Sequence, residues 1–103
     1  MTYVSRAEQF ATFNHELVLG MRVQVRWTNS HRYMVGIGTI SKLNRKTVRV
    51  KLEQPVVVEG FTTYPVGREI IAPRPDLFDS AFTENNGIFP VFGDLAITGP
   101  VRL

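Results

Sequence analysis

The segment GIGTISKLNRKTVRVKL, residues 36–52, decides the fold of this chain. After the polar turn NRK at 44–46, residues 47–52 alternate polar and apolar side chains, which is typical of a strand with one buried face. Gly36 and Gly38 lie within the strand that precedes the turn, and glycine inside a strand often marks a bulge or a sharp bend. The segment therefore predicts a β-hairpin whose first strand is bent.

Further strands extend outward from this hairpin. Residues 21–27 alternate strictly and predict the strand before it, joined by a polar turn or loop to the bent strand at 33–43. On the other side, residues 61–73 predict a fourth strand, a turn at Pro65–Gly67 and a short fifth strand at Glu69–Ala72. Four or five short strands joined by tight turns predict a mainly β fold, a small closed or partly closed barrel.

A short helix is predicted before the barrel, at residues 5–17. Ser5 and Glu8 have the spacing of a capping box, in which each side chain accepts a hydrogen bond from a free backbone donor of the first turn. Phe10 and Leu17 recur with helical spacing. Because a helix this short is unstable alone, its phenylalanine must pack against the rest of the protein.

The C-terminal segment has no sustained period but is strongly apolar. It predicts a brief helical turn at 76–82 and one or two short strands near 88–97. A segment this aromatic packs on the barrel or forms a docking patch for a partner or a second copy. Its phenylalanines are Phe78, Phe82, Phe89 and Phe92.

Length and composition predict a single domain. The 103 residues are divided into a helix (5–17), a barrel (19–73) and an aromatic extension (76–103). There is no cysteine, which rules out disulfides, thiolate zinc sites and cysteine nucleophiles. The N-terminal sequence lacks the pattern of a secretory signal and no apolar run is long enough for a membrane span, so we expect a cytoplasmic protein.

The strand pattern resembles a known group of domains. LGMRVQVRW (19–27), GIGTISKLNRKTVRVKL (36–52) and YPVGREIIAP (64–73) resemble the SH3-like small barrels, in particular KOW and Tudor-like domains, over about residues 19–73. NRKTVRV after a glycine-containing strand is also similar to small proteins of phage, plasmid and actinobacterial genomes. The resemblance implies binding of RNA, DNA or a protein segment, and the fold alone does not choose between them.

Charge is distributed unevenly along the chain. From Gly20 to Leu52 there are eight basic residues and no acid, whereas the rest has four basic and nine acidic residues. If the first and third barrel strands are close in the sheet, their basic side chains form a continuous positive face. Such a face favours the binding of nucleic acid, because phosphates are the natural counter-charge. The alternative is an ordinary solvated strand face. The basic residues are Arg22, Arg26, Arg32, Lys42, Arg45, Lys46, Arg49 and Lys51.

Two aromatic residues near the polar loop 28–32 could stack on bases. Trp27 shares the parity of Val23 and Val25, so we expect it to lie in the core. Tyr33 is the better candidate for an exposed ring.

Catalytic and metal sites are not indicated. His15 and His31 are distant in sequence, and a metal site needs three or four convergent ligands. Asp76, Asp79 and Glu84 have the spacing of acids near a helix start rather than of a catalytic pair. With no nucleophile motif or phosphate-binding loop, we expect no cofactor, no metal and no enzymatic activity.

Two functions therefore remain as hypotheses. The first is largely sequence-independent binding of nucleic acid through backbone charge. The second is a protein-interaction module, for example an accessory protein of a phage or mobile element that docks on an acidic host protein, or an assembly component. In that case the aromatic extension anchors the partner or a second copy of the chain.

Overall fold

A computed structural model describes residues 3–4, 6–29, 31–58, 62–91 and 101–102. Within these ranges it contains one helix and nine strands. In chain order they are β1 (Tyr3–Val4), α1 (Arg6–Glu16), β2 (Arg22–Asn29), β3 (Arg32–Leu43), β4 (Thr47–Leu52), β5 (Val56–Val58), β6 (Thr62–Tyr64), β7 (Glu69–Pro73), β8 (Gly87–Phe89) and β9 (Val101–Arg102).

The central feature is a curled antiparallel sheet of five strands in the order β7-β4-β3-β2-β8. It forms a half-barrel, so the predicted mainly β, barrel-type fold of about five strands with a short N-terminal helix is confirmed. The predicted hairpin is β3–β4, and β7 returns beside β4 after the predicted turn at Pro65–Gly67, where the Arg68 N–H donates to the Pro65 carbonyl.

The bend in β3 differs in detail from the expectation. The register of β3 against β4 shifts between Ile40 and Lys42, so the bulge lies at Ser41 rather than at a glycine. Gly36 and Gly38 instead permit close packing. A Cβ on Gly38 would meet the backbone carbonyl of Lys51, and a Cβ on Gly36 would lie 2.8 Å from Cδ2 of Leu52.

Two connections differ from what the sequence pattern predicts. Val56–Val58, for which no strand was predicted, forms β5 and pairs with β6 in a separate two-stranded sheet. The expected loop at 28–32 is shorter, because β2 extends to Asn29 and pairs with Arg32 at the start of β3. His31 lies in this turn with φ of 68°, in the left-handed region.

The large core fills the concave side of the sheet. Its strand side chains alternate inward as predicted, and Trp27 is buried, with its ring centre 5.2 Å from that of Tyr64 in an edge-to-face contact. Phe13 of α1 and Leu17, which directly follows α1, belong to the same core. The buried strand residues include Val23, Val25, Met34, Ile40, Val48, Val50, Leu52 and Ile70.

A second cluster connects α1 to the segment after β7. Phe10 contacts Phe82 and Phe89, with ring centres 5.2 and 6.2 Å away, and all three are buried. Phe82 and Phe89 therefore belong to the interior of this protein, whereas Phe78 is 89% exposed. Phe92 and the predicted strand region beyond residue 91 lie outside the described residues.

The segment after Pro75 contains turns where a helical turn was expected. Two consecutive turns are closed by hydrogen bonds from the Asp79 N–H to the Asp76 carbonyl and from the Phe82 N–H to the Asp79 carbonyl. The side chain of Asp76 accepts from the Phe78 N–H and that of Asp79 from the Ala81 N–H. Such aspartate side chains stabilise turns and fix the position of Phe78.

Candidate nucleic-acid interface

The sheet divides the eight basic residues into three groups. β3 lies between β2 and β4, so the first and third barrel strands are not hydrogen-bonded neighbours and their basic side chains are separated by a row of residues from β3. One group lies at the β3–β4 turn, and another lies at the far end of β2 and β3. The remaining group lies in the middle of the outer face, which is the face of the sheet opposite the large core.

The middle group is mixed in charge. Arg22, Thr39, Lys51 and Glu69 occupy one row across the outer face, because each is the register partner of the next. Arg22 also forms an ion pair with Glu53, with Nε 2.9 Å from Oε2. Although no acid interrupts this stretch in sequence, two acids meet it in space and lower its positive potential.

Arg49 is the third basic residue of the middle group and lies on the side of that group nearest the turn. It is half-buried on the outer face, where its register partners are Lys42 on β3 and Ile71 on β7. It is therefore less available than the exposed residues of the turn.

The far group consists of Arg26, Arg32 and Tyr33. The guanidinium of Arg26 lies 3.9 Å from the centre of the Phe89 ring and donates to the Gln24 side chain and to the Glu84 carbonyl. Arg26 is thus part of the packing over Phe89. Tyr33 is exposed, as expected, but lies nine residues from Lys42 along β3, about 30 Å away in an extended strand.

The third group lies at the β3–β4 turn and carries the most accessible charge. Lys42, Arg45 and Lys46, hereafter the tip cations, are all exposed, and none forms an ion pair within the described residues. Asn44 shapes the turn, because its backbone N–H and its side-chain amide donate to the carbonyl and hydroxyl of Thr47.

Arg74 holds this turn against α1. Its Nε and one terminal nitrogen donate to the side-chain and backbone oxygens of Asn14, and its other terminal nitrogen donates to the Asn44 carbonyl. Its backbone N–H donates to the Lys46 carbonyl. All of these acceptors are neutral, so the positive charge of Arg74 adds to that of the neighbouring tip cations.

A groove runs between the turn and the segment after β7. It has a volume of about 330 Å³. Its lining includes three cations, Arg45, Lys46 and Arg74, and also the two acids Asp76 and Asp79 with Phe78 between them in sequence. A smaller cavity of about 190 Å³ lies beside the groove and shares three lining residues with it, Asn14, Asp76 and Phe78. The other residues that line the smaller cavity are Ala7, Ala11, Pro75 and Leu77. An exposed ring therefore lies between a charged groove and a largely apolar cavity.

Sequence reasoning did not assign Arg74 or Phe78 to the site. Arg74 lies outside the acid-free stretch, and Phe78 was grouped with the other phenylalanines of the extension. The neighbouring prolines of Arg74, Pro73 and Pro75, gave a local signal of a rigid segment. Nothing in the sequence indicated that this segment faces the β3–β4 turn, which depends on the pairing of β7 with β4.

The two histidines and the acids of the described residues do not form a metal-binding cluster. His15 and His31 are both exposed. Within the described ranges, no three histidine or acidic residues come together in a way that could hold a metal ion. The helix found there, α1, lacks the length and apolar content needed to cross a membrane.

Comparisons with known proteins add no family to this description. A scan against protein-family models, a search of curated proteins and a search of solved structures each give no match. The similarity to SH3-like barrels therefore stays a prediction, and functional inference rests on the half-barrel and the groove beside its β3–β4 turn.

Proposed function

We propose that this protein binds nucleic acid through the β3–β4 turn, largely independently of sequence. One observation carries the proposal: the tip cations are exposed and unpaired within the described part of the chain, and two of them line a groove with the exposed ring of Phe78. Cations that track a phosphate backbone beside an aromatic ring are typical of nucleic-acid-binding surfaces.

The arrangement of hydrogen bonds also supports binding at this turn. Asn44 and Arg74 hold its backbone, so few conformations of the turn are lost when a ligand binds. Binding would be electrostatic in origin and would place phosphates rather than read bases. The rest of the predicted site, on the outer face and at the far end, adds long-range attraction.

The test is the double substitution Arg45→Gln and Lys46→Gln. We expect it to weaken binding of a fluorescent oligonucleotide at least about tenfold at low salt, because each lost phosphate contact no longer releases condensed ions. Fluorescence anisotropy measures the effect. The control is Arg68→Gln, compared with the single variant Arg45→Gln, because it removes the same single charge from an exposed residue at the opposite end of β4. Equal affinity of the double variant and the native protein would refute the proposal.

The exposure of Phe78 also favours a second function, the binding of a protein partner. An aromatic side chain beside cations also suits the docking of an acidic protein segment. Phe82 and Phe89 are buried and do not contribute to such a patch, so the interaction would depend on Phe78 and the tip cations. The test is to isolate the complex from the native host and treat it with nuclease. A protein that stays bound after this treatment would favour the second function. A second copy of the chain is a further possible partner.

A further inference from the structure

We infer that the groove selects single-stranded nucleic acid by receiving one unpaired base against Phe78. This inference rests on the proposed function and names the form of nucleic acid that the same site takes. It depends on Phe78 and on the two adjoining cavities, whereas the proposed function depends on the tip cations.

The exposure of Phe78 is the first observation. With 89% of its surface accessible, it is the most exposed large apolar side chain of the described residues. Its backbone is held in place, because its N–H donates to the Asp76 side chain and the following turn is closed by Asp79. An exposed ring on an ordered backbone gives a base a stacking surface.

The two cavities match the two halves of a nucleotide. The polar groove of about 330 Å³ carries Arg45, Lys46 and Arg74, which suit a phosphate. The smaller cavity of about 190 Å³ is lined partly by Ala7 and Ala11 and offers a narrow, largely apolar space. Because Phe78 lines both cavities, a strand whose phosphate lies in the groove can place a base beside the ring.

The charges of the groove favour one orientation. Asp76 and Asp79 flank Phe78 in the sequence, whereas Arg45 and Lys46 belong to the β3–β4 turn, and all five line the groove. Carboxylates repel phosphates, so the nucleic-acid backbone is directed toward the basic turn and the base toward the ring. In a duplex the faces of the bases are stacked on one another, and only unpaired bases can occupy such a surface.

The experiment compares three oligonucleotides on the full chain by fluorescence anisotropy. The first is a single-stranded oligo(dT) of about ten nucleotides, a length within the site sizes of single-strand-binding proteins. The second is the duplex of this strand with oligo(dA), and the third is a single strand of the same length that carries abasic sites. We expect the native protein to bind the single strand most tightly. Phe78→Ala should weaken single-strand binding roughly tenfold, because the stacking of one base is lost. The weaker binding of the abasic oligomer should not change.

Two further variants separate the inference from the proposed function. Phe78→Trp should restore single-strand affinity because it restores a stacking ring, and Val66→Ala, at another exposed apolar residue, should have no effect. The inference is overturned if Phe78→Ala binds the single strand as well as the native protein does, or if the duplex binds equally well. In that case a loss of binding in the Arg45→Gln and Lys46→Gln variant would leave the proposed function standing. If no oligonucleotide binds, both are wrong.

Discussion

Gly38 is the residue on which the close packing of β3 and β4 most depends. A Cβ at this residue would meet the backbone carbonyl of Lys51, which belongs to a hydrogen-bonded strand and cannot move independently. We expect Gly38→Ala to lower the free energy of unfolding by about 3 kcal/mol, the upper end of the usual cost of overpacking. Urea denaturation followed by tryptophan fluorescence measures the change, because Trp27 is the single tryptophan.

The control for this prediction lies two residues earlier in the same strand. A Cβ on Gly36 would approach the ends of the Leu52, Val56 and Trp27 side chains, and side chains can adjust where a backbone cannot. We therefore expect Gly36→Ala to cost less than about 1 kcal/mol, partly offset by the lower chain entropy of alanine. Equal costs for the two substitutions would show that backbone contact at Gly38 is not what limits the packing.

At the level of elements, the β3–β4 turn and α1 depend on Arg74. Its guanidinium makes three hydrogen bonds in a fork that lysine cannot reproduce. We expect Arg74→Lys to lower the free energy of unfolding by about 1 kcal/mol although the charge is kept, because partly buried oxygens of Asn14 and Asn44 lose their donors. Chemical denaturation measures this cost.

The matched substitution is Arg68→Lys. The Arg68 guanidinium is exposed and lies 5.6 Å from the centre of the Tyr64 ring, so we expect a change below about 0.5 kcal/mol. If Arg74→Lys is as stable as the native protein, the turn is held by its own backbone and not by this residue.

The accuracy of sequence reasoning also differs between elements. The helix and the strands β2 and β4 were predicted because each has a sustained hydrophobic period that local residues determine, whereas β3 and β7 were predicted from their apolar residues next to turn signals. The bulge at Ser41 and the turns at Asp76 and Asp79 have no such period, since they depend on register and on hydrogen bonds of individual side chains.

The candidate site was predicted only in part, for a related reason. The tip cations lie together in sequence and remain together in the fold. Arg26 was assigned to the same surface, yet it packs on Phe89. Phe89 is 63 residues away from Arg26 in sequence, and the pairing of β2 with β8 brings the two residues together. Contacts across such distances depend on sheet topology, which a single sequence does not specify.

For the whole molecule, the arrangement of charge predicts how binding responds to salt. If only the three tip cations contact phosphates of a single strand, the logarithm of the binding constant should fall with the logarithm of salt concentration with a slope of about −2. If all eight basic residues between Gly20 and Leu52 took part, the slope would be about −6. Because Arg22 pairs with Glu53 and Arg26 packs on Phe89, we expect the smaller value in a titration of oligo(dT) binding at several potassium chloride concentrations. A slope near −6 would contradict the division of the basic residues into three groups, and a slope near zero would contradict electrostatic binding altogether.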